Sequence, residues 1–176
     1  MKEFILQSEL KRDWPKLKRW AEDHKRWNSA HSYWEARSSP FLLTMTDAGE
    51  SYPWHTDSIT ATADGWAYRN DRLWTRIIYI SAGAPIQFGA WKPSPHVALT
   101  KDSVVCYVPS TVAYEIQPYE GLQIYFPSFF VHRVLQHTSE IHRWTIVGFL
   151  HHHPSPLHAE LYESCLLYTS PSPRDS

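Results

Sequence analysis

From residue 41 to residue 150 the chain is a succession of short apolar runs separated by turn residues, and no helix is read between them. The runs cover residues 41–46, 73–81, 86–91, 97–100, 104–108, 112–117, 122–126, 131–135 and 144–150. They are rich in Val, Ile, Tyr, Phe, Trp and Thr, the side chains that suit a pleated, half-buried surface. Ala82-Gly83, Lys92-Pro93-Ser94-Pro95, Pro109-Ser110, Pro118-Tyr119-Glu120-Gly121 and Pro127-Ser128 punctuate them. Strands at this spacing predict an antiparallel sandwich or open barrel, and no linker or repeat divides the chain.

The N-terminal part reads differently. Leu10, Trp14, Leu17, Ala21 and His24 recur at three- and four-residue steps, with Trp20 and Trp27 on a neighbouring stripe. This is an amphipathic helix, with Asp13 suited to its start and Pro15 tolerated in its first turn. Its tryptophans are expected to pack against a sheet. The fold class is therefore mainly β with an N-terminal helix.

Charge excludes some functions. With 17 basic and 18 acidic side chains, no global field draws in nucleic acid or an anionic membrane. Residues 1–37 carry nine Lys/Arg against six Asp/Glu, interspersed as on a solvated helix face. No apolar run approaches the roughly eighteen residues of a membrane span, and no signal core opens the chain. A cytoplasmic protein is expected. Two cysteines make no disulfide framework; Cys106, in an apolar run, is expected as a buried small hydrophobe without nucleophilic character.

Cys165 opens the segment Cys-Leu-Leu-Tyr-Thr-Ser-Pro-Ser-Pro-Arg-Asp, which resembles a translated sequencing adapter. Residues 165–176 are accordingly expected to be a non-native, functionally silent tail standing in place of the natural C-terminus. The plainer reading is a flexible Pro/Ser-rich tail. The domain expected is 1–164, with a helical support over 1–40 and a β core over 41–153.

The chemistry concentrates in His55-Thr56-Asp57, a distant His132, and Arg143-Trp144-Thr145. Two imidazoles and one carboxylate form a facial ligand set that suits Fe(II) and leaves positions open for reaction. If residues 55–57 are extended, His55 and Asp57 project from one face while Trp54 and Thr56 face the other way. A symmetric hairpin centred between His137 and Thr138 would place Arg143 directly across from His132, with Thr145 on the same face and Trp144 and His142 pointing away. Arg143 would then offer two charge-assisted donors to a carboxylate, and the Thr145 hydroxyl a third. Singly, each residue has a plainer explanation: polar loop residues for His55 and Asp57, a satisfied core histidine for His132. The joint pattern is what favours a metal site.

The pattern resembles the 2-oxoglutarate/Fe(II)-dependent oxygenases, in their prolyl-hydroxylase-like branch. The likeness is carried by Tyr52-Pro53-Trp54-His55-Thr56-Asp57, by Arg76-Ile77-Ile78-Tyr79-Ile80, and by Gly121-Leu122-Gln123-Ile124-Tyr125-Phe126-Pro127-Ser128 leading to His132 and Arg143. It implies a double-stranded β-helix, a jelly roll of cupin-like architecture, with Fe(II) held by His55, Asp57 and His132. It implies 2-oxoglutarate and O2 as co-substrates, with the distal carboxylate on Arg143 and Thr145, and Tyr79 contacting the co-substrate. Such enzymes release succinate and CO2 and usually hydroxylate an unactivated C–H bond. Ser81-Ala82-Gly83-Ala84-Pro85 departs from the Gly-Gly-Glu-type turn of that branch, which bears on a peptidyl-proline substrate more than on the chemistry.

Two other readings remain. A cupin-type metal protein would share the architecture: Gly121, Pro127 and His132 match the spacing of the second cupin motif, although Phe129 replaces its glycine. His55-Thr56-Asp57 departs from the His-x-His the first motif needs. A non-catalytic binding module would not need Arg143 beside intact ligands. His151-His152-His153 is expected as a surface run, and His96, His137 and His142 as turn or edge residues. Residues 60–72, with Trp66, Tyr68, Arg69 and Arg72, are expected at the substrate rim, or equally as a plain connection. The prime substrate, a protein residue or a small molecule, lies outside the pattern.

Overall fold

The structure is a computed structural model that describes residues 2–11, 14–25, 33–35, 41–62, 65–69, 71–90, 96–99, 104–107 and 110–169. Fourteen strands appear among them: β1 (Leu6–Glu9), β2 (Tyr33–Glu35), β3 (Phe41–Thr46), β4 (Tyr52–His55), β5 (Ile59–Thr62), β6 (Gly65–Tyr68) and β7 (Trp74–Tyr79), then β8 (Ile86–Gly89), β9 (His96–Leu99), β10 (Val104–Tyr107), β11 (Val112–Ile116), β12 (Leu122–Pro127), β13 (His132–Val134) and β14 (Arg143–Leu150). Two helices, α1 (Trp14–Lys25) and α2 (Pro156–Thr169), complete the elements described, with a short 3-10 turn at Lys2–Phe4.

The strands form a major sheet ordered β1-β12-β7-β14-β3-β2 and a minor sheet ordered β11-β8-β13-β4. Their pairings are antiparallel, and together they make the double-stranded β-helix. The alternation of apolar residues decides which faces meet. Ile77, Tyr79, Ile124 and Phe126 of the major sheet pack against Ile86, Phe88 and Ile116 of the minor sheet. The Phe88 and Phe126 rings meet edge to face at 5.0 Å. Each such side chain, fully buried, contributes about 1.5–3 kcal/mol.

The alternate residues of the major sheet face outward and are covered by α1. Ala21, Leu43, Ile78, Ile80 and Ile146 form this second core, with Leu10, Trp14, Leu17, Trp20 and Trp144 packed against it. The tryptophan stripe thus packs on a sheet, as its spacing predicts; Trp27 and the side chain of His24 lie outside the described residues. Gly121, at φ +89°, makes the turn before β12, and its backbone joins Tyr79 O to Leu10 N.

Every apolar run noted above overlaps a strand, while β1, β2, β4, β5, β6 and α2 lie outside those runs. Residues 60–72 include most of a hairpin, β5 paired with β6. The segment from residue 165 is not wholly separate from the fold: α2 runs on to Thr169, and Cys165 is buried in the core beside Phe4 and Leu161. The side chains of Cys106 and His96 lie outside the described residues. Among the described residues no helix is long and apolar enough to cross a membrane.

The expected hairpin between His132 and Arg143 is absent. β13 pairs with β4 and β8 in the minor sheet, whereas β14 pairs with β3 and β7 in the major sheet. The connection between them is held to the β3–β4 turn, because His137 N donates to Glu50 O (2.8 Å) and Gly49 N to His137 O (2.7 Å). It therefore carries the chain from one sheet to the other, and the two residues line a common cavity from opposite layers.

Candidate metal centre

β4 and β13 are neighbours, and His55 is the direct cross-strand partner of His132. Their rings stand 4.2 Å apart. β4 ends at His55, so Asp57 is not on the same pleat, as an extended 55–57 would have it; it lies in a turn whose amide donates to Ser128 O at 3.0 Å. The turn still brings the carboxylate to the histidines: Asp57 Oδ1 is 3.3 Å from His55 Nε2 and Oδ2 is 3.5 Å from His132 Nε2. One ligand atom from each of the three lies within 4.8 Å of the others.

The surroundings prepare these atoms for a cation. His55 Nδ1 is 2.8 Å from Pro53 O, and His132 Nδ1 is 2.9 Å from Phe130 O. A carbonyl only accepts, so each ring carries its proton on Nδ1 and keeps an Nε2 lone pair toward the shared centre. Burial, and then the neighbouring His55 charge, push His132 down to about 4, against the pull of Asp57. Burial pushes the Asp57 carboxyl up, but the imidazoles and the Thr75 hydroxyl outweigh it and hold the group well below the usual carboxylate range. Thr75 Oγ1 donates to Asp57 Oδ2 at 2.7 Å and lies 3.0 Å from Ser128 Oγ. Arg72 donates to Asp57 O at 3.2 Å and stacks over Phe149, 3.6 Å from its ring centre.

A cavity of about 560 Å³ opens from this cluster, and Arg143, Thr145 and Thr75 line it with the three ligands. Arg143 and Thr145 point inward from β14 while Trp144 packs outward against the α1 side. Thr145 Oγ1 is hydrogen-bonded to Thr44 Oγ1, and Tyr79 is the cross-strand partner of Thr145. The Arg143 guanidinium stands 5.3 Å from the centre of the Tyr79 ring. Both residues are buried, yet Arg143 Nε and the Tyr79 hydroxyl have no hydrogen-bond partner among the described residues. Burial pushes the Tyr79 hydroxyl up, opposed by the Arg143 charge, so it remains a neutral donor. Unsatisfied buried donors of this kind cost about 1–3 kcal/mol each, unless a ligand supplies acceptors. A carboxylate does so, which makes the donor set fit a dicarboxylate co-substrate.

Of the other residues singled out, His142 is exposed and its Nε2 lies 3.1 Å from Asp47 Oδ1. His137 is buried, 2% exposed, with Nε2 at 2.6 Å from Ile141 O. His151 and His152 are exposed, whereas His153 accepts a hydrogen bond from Trp74 Nε1 at 3.0 Å. Arg69 pairs with Asp71, and the side chain of Trp66 lies outside the described residues. Trp54 faces away from the cavity, under Arg133 at 4.5 Å. Sequence reasoning missed Thr75, although it shares the inward parity of Ile77 and Tyr79. It also gave Tyr52 no role in the site. A bulge pairs His55 with His132 but Tyr52 with Val134, so three steps along β4 match two along β13. This turns Tyr52 onto the ligand face, its ring 4.4 Å from that of His55.

Comparison with known proteins identifies the family. The family described as the 2OG-Fe(II) oxygenase superfamily matches residues 41–151. Among solved structures, a prolyl-4-hydroxylase from Pseudomonas putida is 14% identical with a TM-score of 0.50, covering 84% of this chain and 85% of its own. A 2OG-Fe(II) oxygenase family oxidoreductase from Burkholderia pseudomallei is 14% identical with a TM-score of 0.40, covering 64% of this chain and 43% of its own. E. coli ycfD is 12% identical with a TM-score of 0.45, covering 98% and 41% respectively. No curated protein sequence matches. The family match spans more than half of the chain, from β3 to the end of β14 and through the whole ligand cluster: the chain belongs to the 2OG-Fe(II) oxygenases, enzymes that use Fe(II), 2-oxoglutarate and O2.

Proposed function

We propose that His55, Asp57 and His132 hold the Fe(II), and that Arg143, assisted by Thr145 and Tyr79, takes the distal carboxylate of 2-oxoglutarate. The prime substrate is a small molecule or a peptidyl residue that enters past Tyr52, and the enzyme acts in the cytoplasm. Residues 1–164 are the oxygenase unit, and residues beyond it take no part in the chemistry. The observation that carries the reading is the pair of unsatisfied buried donors, Arg143 Nε and the Tyr79 hydroxyl, in one cavity with three converging ligand atoms.

The bound iron, with 2-oxoglutarate and O2, supplies the oxidising chemistry that yields succinate, CO2 and a hydroxylated C–H bond. The protein's part is to position and exclude. The two Nδ1-anchored imidazoles and the Asp57 carboxylate would hold the iron with three donor atoms from the protein, a number that suits a metal that must also take a co-substrate. Arg143 fixes the co-substrate by its far end, so its 2-oxo acid end turns toward the metal ligands. The apolar walls, Ile77, Ile86 and Val147 among them, keep bulk water from the charges and strengthen each contact.

The test is an anaerobic titration of Fe(II)-loaded protein with 2-oxoglutarate, followed in the visible spectrum, and then succinate release from labelled 2-oxoglutarate in air. A new absorption band and succinate formation, both abolished in His132→Ala, are expected. Failure of iron and 2-oxoglutarate to bind or to perturb the spectrum would sink the reading.

A further inference from the structure

We propose that Gly83, and the turn that carries it, set where the Arg143 side chain stands, and so determine which length of 2-oxo dicarboxylate the cavity accepts. The inference rests on the reading above, in which Arg143 takes the distal carboxylate. Gly83 belongs to Ser81-Ala82-Gly83-Ala84-Pro85, the turn between β7 and β8.

The turn is fastened to β14 at the residue next to Arg143. Ile80 N and Ser81 N both donate to Trp144 O, at 3.0 and 3.3 Å. Ser81 Oγ in return accepts from Trp144 N at 2.8 Å. On its far side, Gln117 Nε2 donates to Gly83 O at 2.9 Å. Held from both sides, the Gly83 backbone leaves no room for a side chain against the Arg143 stem. A Cβ at position 83 would stand 2.7 Å from Arg143 Cδ, 2.8 Å from Cγ and 3.0 Å from Cβ. These are the buried methylenes and the root of the side chain, so the contact cannot be relieved by swinging a flexible tip.

Direction follows from the lining. Arg143 borders the cavity and Gly83 does not, so the stem stands between the turn and the co-substrate space. Any side chain at position 83 displaces the guanidinium into that space and shortens it. Glycine is therefore the residue that leaves room for a five-carbon dicarboxylate, and Gly83 acts as a positioning residue through Arg143.

The test uses the full chain loaded with Fe(II) under anaerobic conditions, titrated with 2-oxoglutarate and with its four-carbon homologue oxaloacetate. Iron affinity is measured separately. Gly83→Ala is expected to leave iron affinity within about twofold and to weaken 2-oxoglutarate about tenfold or more, the scale of an overpacked site. The preference for 2-oxoglutarate over oxaloacetate should narrow. A purely structural role would lower both affinities and the melting temperature together, without moving that ratio. Gln117 is exposed, so Gln117→Ala keeps the fold while loosening the turn, and is expected to weaken 2-oxoglutarate a few fold at unchanged iron affinity; it decides the matter if Gly83→Ala does not fold. Unchanged 2-oxoglutarate affinity and ratio in the folded variants would overturn the inference. A wild type that binds iron but no 2-oxoglutarate would instead sink the parent reading.

Discussion

The Thr75 hydroxyl bridges Asp57 Oδ2 and Ser128 Oγ, and through them it fixes the one candidate ligand that lies outside a strand. Thr75→Val keeps the volume and removes the donor. The carboxylate then loses both its orientation and part of its stabilisation as an anion. Iron affinity, measured by competition with a chelator, is expected to fall about tenfold to a hundredfold, the usual effect of losing an outer partner of a metal ligand. An unchanged affinity would mean that the Asp57 turn is held by its backbone alone. Arg143→Ala is the complementary case: 2-oxoglutarate affinity should collapse while iron affinity stays near wild type, and an equal loss of both would contradict the assigned role. The candidate ligands and Arg143 stand out in the sequence because their residue types are costly to place together without a use. Thr75 and Gly83 were not. A threonine in a strand and a glycine in a turn are ordinary, and only the three-dimensional neighbours, Asp57 and Arg143, make them specific.

At the scale of elements, strands were readable and their partners were not. Short runs rich in Ile, Phe, Tyr and Trp mark β7, β8 and β12, which are buried at nearly every position, and a similar run marks β14. Register depends on what the connections do, and the connection from Leu135 to His142 is governed by His137, whose backbone is tied to Glu50 and Gly49. A midpoint drawn through that stretch assumes a hairpin, whereas the chain crosses between layers. The β4 bulge is invisible in sequence for a similar reason, since it exists only relative to β13. α1 shows the opposite case, a periodicity strong enough to name its buried face. Ala21 is fully buried beneath it against Leu43, Ile78 and Ile146. Ala21→Leu is therefore expected to overpack this layer and cost about 1–3 kcal/mol, read as a lower denaturation midpoint with iron affinity retained. A variant as stable as wild type would show that α1 rides loosely on the sheet.

The whole molecule is a sandwich whose interior is apolar at one end and ionisable at the other, and this makes its stability depend on pH. In the metal-free protein His132 is 4% exposed, and burial, followed by the His55 charge, lowers its pKa from 6.5 to about 4. On acidification the unfolded chain takes up this proton first, so between about pH 6.5 and 4 the unfolded state binds more protons and stability falls. Asp57, held below its ordinary 3.8, acts in the same sense at lower pH, where the unfolded carboxyl protonates before the folded one. The melting temperature of the metal-free protein should thus be level above about pH 6.5, decline toward pH 4 and fall further below it. Scanning calorimetry on wild type and His132→Gln isolates the first step, because the other histidines are common to both. The variant should lose less stability than wild type over this interval, and equal slopes would rule out a buried neutral His132. A divalent ion competes with the proton for the same Nε2 lone pair, which the folded protein protonates only near pH 4, so the stabilisation gained on adding metal should shrink only as the pH approaches 4.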